Sequence, residues 1–198
     1  MPNDEIIEKY RYVNVDYDEW CEHIYEWFEE ECKECGVGIN MGLRGGKRQE
    51  RAIAWAGFSS QGDGAAFSGY IYDREMDRAL GSHLKEVPIF AKYIGELQGY
   101  AEMNWQLGHH NDIQWQSMRT EGIALYLDEG HPFADLWQEQ LDKDIETAEE
   151  YICELVEELC HKLYRALERE YDALTSDEAV LEAIEANGYD KEVDDVEF

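Results

Sequence analysis

Residues 135–158 hold ten Asp and Glu side chains. A helix through them is about 36 Å long, or one acid per ~3.6 Å of axis. One strand of B-DNA carries a phosphate every ~3.4 Å. On a projection of about 100° per residue, Asp135, Glu139, Asp142, Glu146, Glu149, Glu150 and Glu157 share one arc. Leu141, Ile145, Ala148, Ile152, Leu155, Val156 and Leu159 share the opposing arc. An earlier helix repeats the pattern: Asp18, Glu19, Glu22, Glu26, Glu29 and Glu30 lie on one side, and Trp20, Ile24, Trp27, Phe28 and Cys32 on the other. A carboxylate array of this kind is suited to filling a cationic groove, releasing counterions as a nucleic acid does.

The plainer reading is a solvated face. Solvated faces interleave Lys with Glu at i,i+4. On the first seven turns of the long helix only Glu139–Lys143 and Glu158–Lys162 do so, while Asp142, Glu146 and Glu150 repeat like charge at that spacing. Each like pair costs a few tenths of a kcal/mol (~0.2–0.5). Tolerating them repeatedly points to use.

Other chemistry is weaker. Cys32 and Cys35 form a lone C-x-x-C at a helix C-terminus, with Cys32 on the apolar face. Zinc needs further ligands, and a redox pair needs a helix N-terminus, so buried thiols are expected. His109, His110 and His131 with Asp112 are a poor metal set, because adjacent histidines in a turn diverge. Cys160 and His161 are neighbours that point apart on a helix. Ser59, Ser60, Gln61 and Asp63 lie in a Gly-rich connection that resembles a phosphate loop. No Lys follows it, and Asp63 repels phosphate, so a structural hairpin loop is favoured; a recognition or catalytic loop is the alternative. Arg44, Lys47, Arg48 and Arg51 are the one basic cluster, read as a flexible loop or an internal counter-charge. No cofactor, metal or catalytic residue is expected.

The chain has 17 Lys and Arg against 46 Asp and Glu, a net charge of −29 over 198 residues. The near-neutral middle, 36–134, is flanked by acidic ends. This charge disfavours direct contact with nucleic acid or an anionic membrane. Six Trp, 13 Tyr and six Phe are enough for a real core and permit a homodimer as well as a monomer. No apolar run approaches a bilayer span of about 20 residues, and the N-terminus lacks a signal core. Five cysteines without such a signal imply reduced thiols in a cytoplasm.

These side chains need elements to hold them. Tyr10–Val15 alternates weakly, as a first strand. Asp16 and Glu19 form a capping box for a helix that stops at Gly36. Arg51–Phe58 and Ala65–Tyr72 read as a hairpin. Val87–Tyr100 reads as helix, and Ile113–Arg119 and Ile123–Leu127 as strands with Gly122 a bulge or turn between them. From Phe133 a 3.6-residue period runs to about Tyr171. Thr175 and Glu178 read as a second capping box for a last helix that closes at Asn187-Gly188. The fold expected is α+β: one domain over 1–190, an antiparallel sheet packed against helices, one long C-terminal helix and an acidic tail at 191–198.

Gly57-Phe58-Ser59-Ser60-Gln61-Gly62-Asp63-Gly64-Ala65, with Phe67 and Gly69, resembles the signature of an uncharacterised family of tailed bacteriophages and proteobacteria. Val15–Trp20, Tyr164–Glu168 and Thr175–Val180 continuing to Ala186-Asn187 are similar to other parts of it, in matching order over roughly 13–190. The family's end differs at Gly188, and its middle departs over Glu102–Asp128. Members are often labelled antitoxins of toxin–antitoxin systems, and no reaction is attached to them. The resemblance implies a phage-encoded protein acting in the host cytoplasm. The function expected is non-enzymatic inhibition: an acidic nucleic-acid mimic that blocks a basic, nucleic-acid-binding host protein, of the anti-CRISPR or anti-restriction type. The alternatives are an antitoxin-like partner of a basic toxin, an enzyme with a site at Ser59–Gly64, and a virion component.

Overall fold

In the computed structural model, the apolar period that begins near residue 133 becomes one helix of 41 residues. The structure describes residues 4–15, 18–44, 48–58, 63–94, 101–106, 119–125 and 134–189. In chain order the helices are α1 (Asp4–Lys9), α2 (Glu22–Glu34), α3 (Met76–Leu80), α4 (Pro88–Ile94), α5 (Ala134–Leu174) and α6 (Asp177–Asn187). The strands are β1 (Gly38–Ile39), β2 (Met41–Arg44), β3 (Arg48–Arg51), β4 (Ile53–Ala56), β5 (Gly64–Phe67), β6 (Gly69–Ile71), β7 (Ala101–Gln106) and β8 (Arg119–Leu125). Short 3-10 turns precede α2, α3 and α4. The class is α+β with antiparallel sheets and a long C-terminal helix.

The chain forms two compact units, 1–26 with 165–198, and 27–164. In the first, Ile7 of α1 buries against Val180 and Ile184 of α6, and the Tyr10 and Tyr189 rings stack at 4.7 Å. Tyr10–Val15, expected as a strand, is a run of turns: Val13 N donates to Tyr10 O at 3.0 Å and Val15 N to Tyr12 O at 2.9 Å. The segment has no partner strand among the described residues. Its polar side chains tie off helix ends instead. Arg11 donates to Thr175 O at 2.9 Å and pairs with Asp177 and Glu8; Asn14 donates to Leu174 O at 3.0 Å. The second capping box is shifted by one residue. Ser176 is the N-cap of α6 and accepts from Ala179 N, while the Thr175 hydroxyl donates back to Tyr171 O. Gly188, at φ 71°, closes α6 as the sequence implies. Asp16, half of the first box, and the tail 191–198 lie outside the described residues.

The second unit holds every strand among the described residues. β1, β6, β7 and β8 form one antiparallel sheet in the order β1-β6-β7-β8, and β2-β3 and β4-β5 are separate pairs. β4 and β5 are the expected hairpin, with Ile53 opposite Phe67 and Ala56 opposite Gly64. The expected strand Ala65–Tyr72 divides in two because its ends pair with different neighbours. Three segments switch partners in this way, at Asn40, Ala52 and Ser68. There the backbone closes a ring: Asn40 N donates to Ser68 O, Ser68 N to Ala52 O and Ala52 N to Asn40 O, at 2.8–2.9 Å. The ring satisfies groups that a break in pairing would otherwise orphan.

The strand expected at Ile123–Leu127 overlaps β8, Arg119–Leu125, whose partner is Ala101–Gln106; the strand expected at Ile113–Arg119 falls almost wholly in 107–118, outside the described residues. Met103 faces Ile123 and Trp105 faces Thr120, so β8 carries one extra residue at Glu121–Gly122, a bulge at the expected glycine. α4 ends at Ile94 within the described residues. Phe28 of α2 meets Phe67 edge-on at 5.1 Å, and Ile152, Leu159 and Leu163 of α5 are fully buried in the same unit. Each such side chain contributes roughly 1.5–3 kcal/mol. Gly36 turns the chain out of α2 at φ 76°, with Val37 N returning to Cys32 O.

Candidate partner-binding face

α5 sorts its side chains as the wheel predicts. Ala148, Ile152, Val156 and Leu159 are buried, and Glu139, Asp142, Glu146, Glu150, Glu154, Glu157 and Glu158 are exposed, with Glu149 half-buried. The two i,i+4 pairs form: Lys143 Nζ lies 2.8 Å from Glu139, and Lys162 Nζ 3.7 Å from Glu158. The hydrogen bond from Lys143 holds the Glu139 carboxyl below its usual range. Glu146, Glu150, Glu154 and Glu157 make no ion pair among the described residues. From Glu139 to Glu158 eight acids face outward over about 28 Å of axis, again one per ~3.6 Å.

One acid of this stretch leaves the array. Asp144 is 2% exposed. Its Oδ2 accepts from the backbone nitrogens of Ile89 and Phe90, at 2.7 and 3.1 Å, and its Oδ1 accepts from Gln140 at 3.0 Å. It caps the α4 N-terminus from another helix, where Pro88 supplies no donor and the helix dipole favours an anion. On the wheel Asp144 falls between the apolar and acidic arcs, and Pro88 marks a helix start; the two signals together could have found the cap.

The carboxylate sector ends at a definite place. Tyr164 lies about five turns beyond Glu146 and so occupies the same sector. There it is covered: Phe58 packs on it at 5.7 Å, and Trp55 stacks on Phe58 at 5.2 Å. A Cβ on Gly57 would sit 3.2 Å from the Tyr164 ring, so the hairpin reaches the helix through a glycine. One turn earlier Cys160 is also buried. Burial pushes its thiol up to about 12, against a hydrogen bond from the Phe67 backbone that lowers it. The β4–β5 hairpin therefore closes the sector just past Glu157. It also sets the base of the Gly57–Gly64 connection beside the acidic face. Asp63 is half-buried; Ser59, Ser60 and Gln61 lie outside the described residues.

The first acidic helix is less pure than its sequence implies. Arg51 on β3 reaches Glu29 at 2.8 Å, and Lys33 lies 3.6 Å from Glu30. The basic cluster thus supplies an internal counter-charge, one of its two expected roles. Glu22 and Glu26 are exposed in the first unit. The side chains of Asp18 and Asp135 lie outside the described residues, although both sit in helical turns.

The remaining candidates separate. Cys32 is buried, with its thiol pushed far above its ordinary value by burial, and Cys35 is half-buried and raised for the same reason. Among the described residues no three His, Cys, Asp or Glu side chains group to suit a metal ion. His109, His110, Asp112 and His131 lie outside them. Among the described residues no helix is long and apolar enough to cross a membrane. Sequence reasoning passed over His83, Glu86 and Tyr151, which meet on a flank of α5 away from the acidic arc. Their residue types recur throughout the chain, and only the fold brings them together.

No curated protein and no solved structure matches the chain. With residues 20–177 of its 198 matched, the chain belongs to the family described as Domain of unknown function (DUF8835).

Proposed function

We propose that this chain is a phage-encoded, non-enzymatic inhibitor. It offers the α5 carboxylates to a basic, nucleic-acid-binding host protein in place of a nucleic-acid backbone, in the manner of an anti-CRISPR or anti-restriction factor. One observation carries the reading: Glu146, Glu150, Glu154 and Glu157 are exposed and, among the described residues, without ion pairs along a helix that repeats negative charge at i,i+4. Repulsion along that face is relieved when a cationic groove covers it. Counterion release then makes the affinity salt-dependent.

The test is protection of phage or plasmid in cells carrying restriction or CRISPR immunity. Wild type raises survival, and E146K/E150K/E157K returns it to the unprotected level. The captured host protein is released by duplex DNA and by salt, and not by a neutral polymer. Full protection by the triple variant, or salt-independent capture, overturns the proposal. If the released protein is instead a small basic toxin whose growth arrest this chain relieves, the same face serves an antitoxin-like role.

A further inference from the structure

His83 and Glu86 stand on the 3-10 turn Gly81–Glu86, and Tyr151 stands on α5. The His83 and Tyr151 rings stack with centroids 3.9 Å apart and planes 24° from parallel. The Tyr151 hydroxyl donates to Glu86 Oε2 at 2.6 Å. His83 Nδ1 lies 3.4 Å from Glu86 Oε1, closed off from solvent and without a hydrogen bond. Glu86 thus holds one partner and faces another that it does not yet engage.

An imidazole protonated only at Nε2 turns the Nδ1 lone pair toward that carboxylate, a repulsive contact. A proton on Nδ1 converts the lone pair into a donor and places a cation over the phenol ring. We propose that His83, Glu86 and Tyr151 form a proton-operated latch, which fastens the 3-10 turn to α5 when His83 gains its second proton.

The surrounding charges favour closure. Glu86 belongs to the same turn, and Lys85 opposes it there. Glu150 and Glu154 of α5 act on Tyr151 from either side in sequence. α3 and α4 also pack against the turn and bring Asp77, Arg78 and Lys92, with Arg78 held by Glu75 at 2.7 Å. A closed latch holds one proton more than an open one, so it adds stability as pH falls and loses it as pH rises. The Tyr151 hydroxyl holds the Glu86 carboxyl below its usual value, which keeps the acceptor charged.

Denaturant unfolding between pH 7.5 and pH 5 tests this on wild type, H83Q, E86Q and Y151F, all part-exposed positions. The ratio of unfolding constants, H83Q over wild type, is expected to grow about two- to five-fold as pH falls, the range of a partly exposed pair. In the E86Q background that growth disappears, and Y151F reduces it. NMR of His83 reports the proton on Nδ1 directly, independent of any loss of stability. Parallel stability curves for wild type and H83Q, or identical His83 titrations in wild type and E86Q, overturn the latch.

Discussion

Oδ2 of Asp144 lies 2.7 Å from the amide nitrogen of Ile89. The stretch of α5 from Glu139 to Glu158, with eight outward acids, therefore turns one inward to hold the start of α4. Removing the carboxylate strands two donors, the buried Phe90 amide and the part-buried Ile89 amide. D144A is expected to cost about 2–3 kcal/mol in denaturant unfolding, and D144N, which keeps one acceptor, less. An unchanged midpoint in D144A refutes the cap.

The exposed acids carry the opposite sign. Glu150 stands between Glu146 and Glu154, four residues from each. E150K removes two like-charge contacts and adds two attractive ones, a gain of about 0.8–2 kcal/mol. The same change weakens capture of a cationic partner. Added salt raises the wild-type melting temperature more than that of E150K, because less repulsion remains to be screened. A destabilised E150K contradicts the crowded face.

Two glycines separate backbone strain from crowding. Gly36 and Gly188 both take positive φ, at 76° and 71°. A Cβ on Gly188 meets nothing within 4 Å, whereas on Gly36 it falls 2.7 Å from Glu75 O. G188A is expected to cost about 1–2 kcal/mol from conformation alone. G36A costs more, since its clash is with backbone. Equal losses in thermal unfolding would remove the contact with Glu75 from the account.

Burial of Cys32 and Cys160 sets an alkaline limit. Both thiols are raised from 9.0 by burial, Cys160 to about 12. The folded chain keeps their protons after the unfolded chain has lost them, so stability is full below pH 9 and falls as pH rises above it. Each thiol contributes a slope of up to about 1.4 kcal/mol per pH unit. The double variant C32A/C160A flattens that decline, and in wild type both thiols alkylate only on unfolding. Rapid labelling of either in the native protein is the contrary result.

The limits of sequence reading fall at particular residues. α5 was legible because its apolar period survives 41 residues, far beyond any competing pattern. The β4–β5 hairpin was legible from two apolar runs around a Gly-rich turn. The division at Ser68 was not, since a strand that changes neighbour keeps the same alternation. The Arg51–Glu29 pair joins residues 22 positions apart on different elements, which no i,i+4 rule reaches. The cap at Ser176 was missed by one position because Thr175 has the same chemistry and spends its hydroxyl on the preceding turn.

The backbone ring at Asn40, Ala52 and Ser68 makes three ladders hostage to one another. Neither the β2–β3 nor the β4–β5 hairpin can detach by itself without breaking two of those three hydrogen bonds. The three protons should exchange with heavy water as a set, at the rate of the whole unit's opening. The hairpin that covers Tyr164 thus hangs from an anchor that lets go all at once or not at all.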